Sequence, residues 1–375
     1  MRIAVTPDSP FSTPTDSTYK SGYSVPLTGT KSVLNVKDKF LRVCAITTGV
    51  DQPGSRFRWR QYVPFLAEAG IDSTEMHTRW GAYPPDTKLL RPLWLIANSI
   101  SAARVAQNSN KYHVRFIQRE LISTLSTGVS LLNQPFVFDV DDAIFLTQRF
   151  SSVDRIAKHA STIICGNEFL ADYFSAFGQT KVLPTAVDTT RYQPSGMPKP
   201  GRLIGWSGSS SGFKYLYGIE PALKVILNKF PDVALKVVAD KPPLFSQLPK
   251  EQVRFQKWHP DTEVSAIQDL TVGLMPLTDG LWERGKCSFK MITYMAVGVP
   301  VVVSAVGMNI NVLQHGQAGF LVRSNDEWVD ALSSLLTDQA MAEKMGCVGR
   351  DITEKYYATK IIGPVLASIL REVAS

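Results

Sequence analysis

The sequence predicts an α/β protein built on parallel sheets and divided into two domains. Three observations carry this. The 375 residues suit two domains, each large enough for its own core. Short β-branched runs alternate with helical stretches from Phe40 onward. The stretch Gly285 to Asn309 then reads as helix, tight turn, buried strand and glycine turn. Phe289, Ile292 and Ala296 share a helical face with Met295 close by, while Gly298 stops the helix and Pro300 prevents its continuation. Val299 and Val301 to Val303 form a β-branched run, as expected of a strand covered on both faces of a parallel sheet. Gly307 and Asn309 follow at its carboxyl end, where open α/β sheets place ligands. Lys286 and Lys290 stand one turn apart at the helix start, where free backbone N–H groups and the dipole already favour an anion. A phosphate is the natural guest.

Net charge is +7 with pI ≈ 9.1, an excess that suits anionic substrates or a membrane face. It is too diffuse for nucleic acid, and no basic run or nucleic-acid signature accompanies it. No apolar segment is long enough to span a bilayer, and Pro, Asp, Ser and Thr interrupt the N-terminus too early for a signal peptide. A cytoplasmic enzyme is expected, with peripheral contact at the inner face of the membrane left open. Cys44, Cys165, Cys287 and Cys347 are scattered without metal-ligand spacing and read as buried free thiols in a reducing cytosol.

Residues 1–39 are rich in Ser, Thr, Pro and Gly and read as a largely disordered extension, in which Ile3 to Val5 could add an edge strand. Phe40 to Thr47 is the first buried strand, followed by a Gly/Pro loop and a helix ending at Gly70. From Thr78 to Asn110, Trp94, Leu95 and Ile96 sit in a helix with Arg91 and Arg104 as basic neighbours. A plain core helix is the favoured reading, and a membrane-surface or acceptor-docking helix the alternative. Tyr112 to Arg119 is a strand that ends in Arg119 and Glu120. Pro135 to Asp142 is a strand running into an acidic turn, whose Asp139, Asp141 and Asp142 are of the type hard cations favour. Ala160 to Gly166 is the next strand, and Asn167 caps the helix after it. The polar, proline-bounded segment Gln193 to Gly201 is a linker.

Gly201 to Ser211 opens the second domain with a strand and a glycine–serine turn, whose N–H groups and hydroxyls can cradle phosphate oxygens. A helix over Tyr215 to Phe230 and strands at Ala234 to Ala239, Val253 to Trp258 and Thr271 to Leu277 follow. The tail reads as two amphipathic helices and a last helix, Thr359 to Ala374, kinked at Gly363-Pro364.

The pattern K…YMA-x-G-x-P-V-V-x-S-x-V-G-x-N, followed by HGQAGFLV at His315 to Val322, resembles the donor-binding segment of family four glycosyltransferases. These are retaining, nucleotide-sugar-dependent enzymes of GT-B fold. Other segments are similar to the family's as well. PFVFDVDD resembles its P-V-V-x-x-V-H-D, with Asp141 in place of His and Asp142 on the Asp. KVLPTAVDTTRYQP resembles its interdomain turn, and GSRFR its first loop, which makes Arg56 and Arg58 candidates for phosphate or acceptor. GRLIGWSGSSS resembles its phosphate turn, with Ser209 at the usual Arg and Lys214 as the lysine. The family's usual pair of glutamates falls on Gly285 and Thr293, and Glu283 lies two residues out of register.

The resemblance implies two Rossmann-like domains facing across a cleft. Residues 40–195 form the acceptor domain, 201–357 the nucleotide-sugar donor domain, and 358–375 a helix crossing back to the first. It implies Asp141, Lys286 and Lys290 as catalytic residues. The donor diphosphate would lie on Ser207, Gly208, Ser209, Lys214, Lys286, Lys290, Met308 and Asn309. The donor sugar would lie on Asp141, Gly285, Lys286, Cys287 and Ser288, and the nucleoside on Trp258, His259, Val264, Phe289 and Thr293. Gly54, Ser55, Arg56 and Arg119 would line the acceptor side. No metal or cofactor is implied. The expected reaction moves a hexose, glucose or N-acetylglucosamine, from a UDP-sugar to a saccharide or lipid-linked saccharide. The alternative is a non-catalytic nucleotide-sugar-binding or regulatory protein of the same fold. For an epimerase or phosphorylase, the sequence offers no matching constellation.

Overall fold

The aliphatic runs at Phe136–Val140, Val233–Ala239 and Val301–Ser304 are buried along their whole length, as strands sandwiched between helix layers must be. The computed structural model describes residues 40–49, 52–80, 84–85, 87–119, 135–146, 150–197, 199 and 201–375. The N-terminal extension, its edge strand and Glu120 lie outside these residues. Two six-stranded sheets result, every pairing in them parallel. The first holds β1 (Leu41–Thr47), β2 (Ile71–His77), β3 (Val114–Gln118), β4 (Phe136–Val140), β5 (Thr162–Cys165) and β6 (Thr180–Val182), in the order β2-β1-β3-β4-β5-β6. The second holds β7 (Arg202–Ser207), β8 (Val233–Ala239), β9 (Val253–Lys257), β10 (Val272–Met275), β11 (Val301–Ser304) and β12 (Gly319–Val322), in the order β12-β11-β10-β7-β8-β9. Strand order reverses beside β1 and beside β7, and ligand crevices open at such switch points. This is the expected α/β GT-B architecture.

Several elements depart from the sequence reading. The sequence pattern does not signal β2, because IDSTEMH carries no apolar run and lies at a sheet edge. The helix expected over Tyr215 to Phe230 is two, Phe213–Gly218 and Glu220–Lys229, broken at Gly218-Ile219. Cys347 is exposed, whereas Cys44, Cys165 and Cys287 are buried. The helix Arg91–Ser109 is a core helix on one face only. It buries Asn98, Ala102, Val105, Ala106 and Ser109 and leaves Leu93, Ile96 and Ile100 in solvent. Among the described residues no helix is long and apolar enough to cross a membrane.

Two features hold the halves together. The last helix, Thr359–Ala374, packs on the first half against Val63–Glu68, β1, β3 and β4. Its Gly363 comes so close to Phe65 that an added Cβ would lie 2.7 Å from the ring. Next to the cleft, Gly285 meets Ala143, where an added Cβ would lie 2.7 Å from the alanine methyl. The Cys287 thiol donates to the Asp141 carbonyl at 3.2 Å. Burial pushes that thiol's pKa well up, so it is a packing group rather than a nucleophile.

Candidate functional site

The pocket forms where β7 and β10 end and the helix Phe289–Ala296 begins. Gly298, at φ +72°, ends that helix after Ala296 and lets the chain turn into β11, as the sequence suggested. The helix therefore points its start, with Lys286 and Lys290, at the strand ends. The cavity is about 450 Å³ and is lined by Asp142, Trp206, Ser209, Ser211, Gly212, Lys214, Tyr215, Met275, Pro276, Leu277, Trp282, Lys286 and Lys290. A second cavity of about 330 Å³, under Val63, Ala67 and Gly70, lies away from the strand ends and brings no comparable charges together.

Lys290 is the centre of the pocket. Its ammonium stands 5.4 Å from the Trp206 ring, and its Cε is so close to Gly208 that an added Cβ would lie 2.4 Å away. Burial first, and then the charge of Lys286, push its pKa down to about 8, with Asp142 pulling the other way. Lys286 stands 3.8 Å from Asp142 Oδ1 and 5.7 Å from the Trp282 ring. Opposite them, the Tyr215 hydroxyl donates to Glu283 at 2.5 Å, with Lys214 Nζ 3.5 Å from the same carboxylate oxygen. Burial pulls the Glu283 pKa upward, but the Tyr215 hydrogen bond and Lys214 outweigh it and hold the carboxyl below its ordinary value. Ser209 and Ser211 hydroxyls hydrogen-bond each other at 2.7 Å along the rim. The walls are thus aromatic and the floor cationic, with the Asp142 carboxylate on the lining and Glu283 behind Tyr215 and Lys214. This suits a sugar joined to a phosphate group.

The acidic turn after β4 is organised by arginines. Asp139 is buried and held by Arg58, with Nε 3.1 Å from Oδ2. Arg58 also donates to the Leu183 carbonyl at 2.8 Å. This corrects the reading of Arg58 as a phosphate or acceptor residue, since its guanidinium is buried and already engaged. Arg119, in the left-handed region at φ 55°, donates to Asp141 at 2.7 Å and also bonds Asp142. Burial raises the Asp141 pKa, but the Arg119 charge and hydrogen bond, with Arg58 behind, bring it below its ordinary value. Asp141 is therefore a charged partner of Arg119 rather than a free carboxylate. Among the described residues no group of three His, Cys, Asp or Glu side chains is arranged to hold a metal ion.

The remaining sequence candidates separate clearly. Ser207 N–H donates to the Tyr294 hydroxyl at 2.7 Å and Gly208 N–H to the Val238 carbonyl at 3.0 Å. These two N–H groups, expected to face the phosphates, are spent inside the fold. Ser288 and Asn309 are buried and bonded to each other at 2.7 Å, and Asn309 donates on to the Ser304 carbonyl at 3.0 Å. Their side chains lock the helix start to the end of β11 and do not reach the pocket. Met308 is buried at the start of Met308–Leu313. Ser55 is buried against Gln118 and Thr48, at 3.3 and 3.4 Å, and Gly54 sits over the same Gln118, so neither lines the pocket. Arg56 crosses to Glu263 at 2.6 Å, next to Val264, and Phe57 packs on Phe289 with centroids 4.1 Å apart. Thr293 donates to the Lys290 carbonyl at 2.7 Å. Trp258 and His259 are exposed in the turn before Glu263–Gln268, with His259 3.3 Å from Asp261.

Trp206, Tyr215, Trp282 and Glu283 line or flank the pocket without having been singled out as site residues. Their one signal was position, beside the glycine–serine turn and just before Lys286. Glu283 and Tyr215 are 68 residues apart, a pairing no local pattern reveals.

Residues 202–338 match the family model described as glycosyl transferases group 1. That segment carries all of the second sheet and every pocket residue except Asp142. None of the curated protein sequences matches the chain. Among solved structures, sucrose-phosphate synthase from Thermosynechococcus elongatus is 16% identical with TM-score 0.67, covering 89% of this chain and 99% of that one. Anabaena HepE in complex with UDP and glucose is 14% identical with TM-score 0.66, covering 88% and 99%. An E. coli trehalose-6-phosphate structure bound with UDP-2-fluoro glucose is 13% identical with TM-score 0.61, also covering 88% and 99%. At such identities the likeness establishes the fold, and the group 1 segment marks a transferase.

Proposed function

We propose that this glycosyltransferase is a retaining, family-four-like enzyme that moves a hexose from a UDP-sugar to a saccharide or lipid-linked saccharide acceptor. Glucose and N-acetylglucosamine are the sugars the reading favours, and the cytoplasm is the compartment. The observation that carries it is the cationic floor of the pocket: Lys290 and Lys286 at one helix start, against Gly208 and Trp206, with Asp142 opposite. UDP as the nucleotide is supported by the UDP and UDP-sugar ligands of the structural neighbours.

In this reading the diphosphate lies on Lys286, Lys290 and Ser209, and the sugar reaches toward Asp142 and Glu283 between Trp206 and Trp282. Charge grows on the diphosphate as the glycosidic bond to it breaks, and the fixed ammonium groups stabilise it most at that point. The acceptor hydroxyl attacks from the side of the leaving phosphate and passes its proton to a phosphate oxygen. This keeps the anomeric configuration and needs no protein nucleophile. In this reading the lysines supply the positive charge that the diphosphate needs, without a metal.

The test is a thermal-shift and sugar-release screen of UDP-, GDP-, ADP- and dTDP-sugars with the intact chain and Lys290→Ala. Stabilisation by UDP-sugars with release of sugar, both lost in Lys290→Ala, is expected. Binding without release under any acceptor mixture would favour the non-catalytic alternative. Stabilisation by another nucleotide alone would overturn UDP, and no binding at all would overturn the site.

A further inference from the structure

We propose that the outward face of the helix Arg91–Ser109 is a docking surface for an anionic lipid bilayer. This rests on that helix alone and not on the transferase reading. Leu89, Leu93, Ile96 and Ile100 are 88%, 68%, 63% and 50% exposed. Their spacing of four, three and four residues sets them in one stripe along the helix and the turn before it. Asn98, Ala102, Val105 and Ser109, which face the protein, lie on the opposite side. The helix therefore has two apolar sides, and packing among the described residues accounts for one. Single exposed leucines are ordinary on a soluble protein. A continuous aliphatic stripe, extended by Leu90 at 51% exposure, marks a surface that is covered in use.

The charge around the stripe selects the occupant. From Thr78 to His113 the chain carries Arg79, Lys88, Arg91, Arg104 and Lys111 against the single acid Asp86. Arg79, Lys88, Arg91 and Arg104 are exposed, and the helix itself contains no acidic residue. Arg91 begins the helix and Arg104 follows Ile100 by one turn, so cations stand near both ends of the apolar stripe. Cationic ends around an aliphatic stripe match the interfacial region of an anionic membrane, where the apolar face enters the acyl boundary and the basic groups meet the headgroups. A protein partner would be expected to find hydrogen-bonding side chains within the patch, about one bond per 100–200 Å². The four residues of this stripe offer none. The stripe spans about 16 Å of helix, enough for shallow insertion and too short to cross a bilayer.

The test is co-sedimentation of the full-length chain with vesicles of phosphatidylcholine alone and of phosphatidylcholine mixed with phosphatidylglycerol. Wild type, Leu93→Ser/Ile96→Ser/Ile100→Ser and Lys88→Glu/Arg91→Glu are compared, with melting temperature, oligomeric state and sugar release measured on each. The wild type is expected to bind the phosphatidylglycerol vesicles, more weakly as salt rises. The apolar variant should bind about a hundredfold more weakly, with melting temperature and sugar release unchanged. The charge variant should lose its preference for anionic vesicles. Failure of the wild type to bind phosphatidylglycerol vesicles overturns the proposal, as does wild-type binding by the apolar variant. A wild-type dimer that the apolar variant makes monomeric, without vesicle binding, would assign the surface to a second copy. A marked fall in melting temperature without vesicle binding would assign it to another segment of the chain. Either result overturns the membrane.

Discussion

Lys290 carries its charge at a cost, because burial and Lys286 have pushed its pKa down to about 8. A bound diphosphate favours the charged form and raises that value again. Below pH about 8 the free protein already holds the proton that binding needs. Above it, the proton must be taken up, so donor affinity falls by up to tenfold per pH unit until the raised pKa of the complex is reached. Titrating UDP binding calorimetrically from neutral pH upward should show this limb, and Lys290→Met should abolish it. That variant should also lose about 2.7–4 kcal/mol of transition-state stabilisation. A flat affinity profile across pH 8 in the wild type would remove Lys290 from the phosphate site. Glu283 works in the opposite direction. Its pKa is held below the ordinary value, so its contribution to stability is present above the unfolded value and is lost as pH falls through the folded one. Tyr215→Phe removes the 2.5 Å donor. It should lower stability near neutral pH by about 1–3 kcal/mol and flatten the acid side of the urea-unfolding profile.

The loop after β7 places Lys290 as much as its own helix does. Gly208 leaves room where an added Cβ would lie 2.4 Å from Lys290 Cε and 2.8 Å from the Trp206 ring. Gly208→Ala is expected to displace the lysine and weaken UDP binding about tenfold or more, while melting temperature stays near wild type. Equal losses of binding and stability would instead show a folding defect. This part of the site was legible in the sequence, because the helix stop at Gly298, the valine run and the two lysines are local patterns. The hydrogen-bond partners of this loop and of the acidic turn after β4 were not. Ser207 N–H is taken by Tyr294, 87 residues away, and Asp141 by Arg119, 22 residues away, and neither pairing leaves a trace in spacing. β2 escaped for a different reason, since an edge strand can tolerate the polar alternation of IDSTEMH that a central strand cannot. The helix Arg91–Ser109 misled in part because an apolar stripe in sequence does not say which side of the helix the protein covers.

Across the molecule, the pocket exists only while its halves are held together, and the hold is unevenly distributed. The Gly285–Ala143 approach and the Cys287 contact with Asp141 are tight and buried. At the other rim the contacts are softer. Arg56 reaches Glu263 at 2.6 Å with a quarter of its side chain exposed, and Phe57 lies on Phe289 at 4.1 Å. Glu263 keeps other partners there, the Tyr192 hydroxyl at 2.7 Å and Arg191 at 3.1 Å. Removing Arg56 therefore does not strand a buried charge, and the second half should fold as before. What is lost is a partly exposed ion pair across the rim, worth about 1 kcal/mol, which shifts the balance between closed and open forms roughly fivefold. Arg56→Ala should raise KM for the donor by that factor, since the donor must now supply the closing energy, and leave kcat little changed once it is bound. Small-angle scattering should show a larger radius of gyration for the free variant that returns to the wild-type value with UDP. If the radius is unchanged and KM rises all the same, Arg56 touches the donor directly. If kcat falls with KM constant, the rim contact belongs to the chemical step and not to closure.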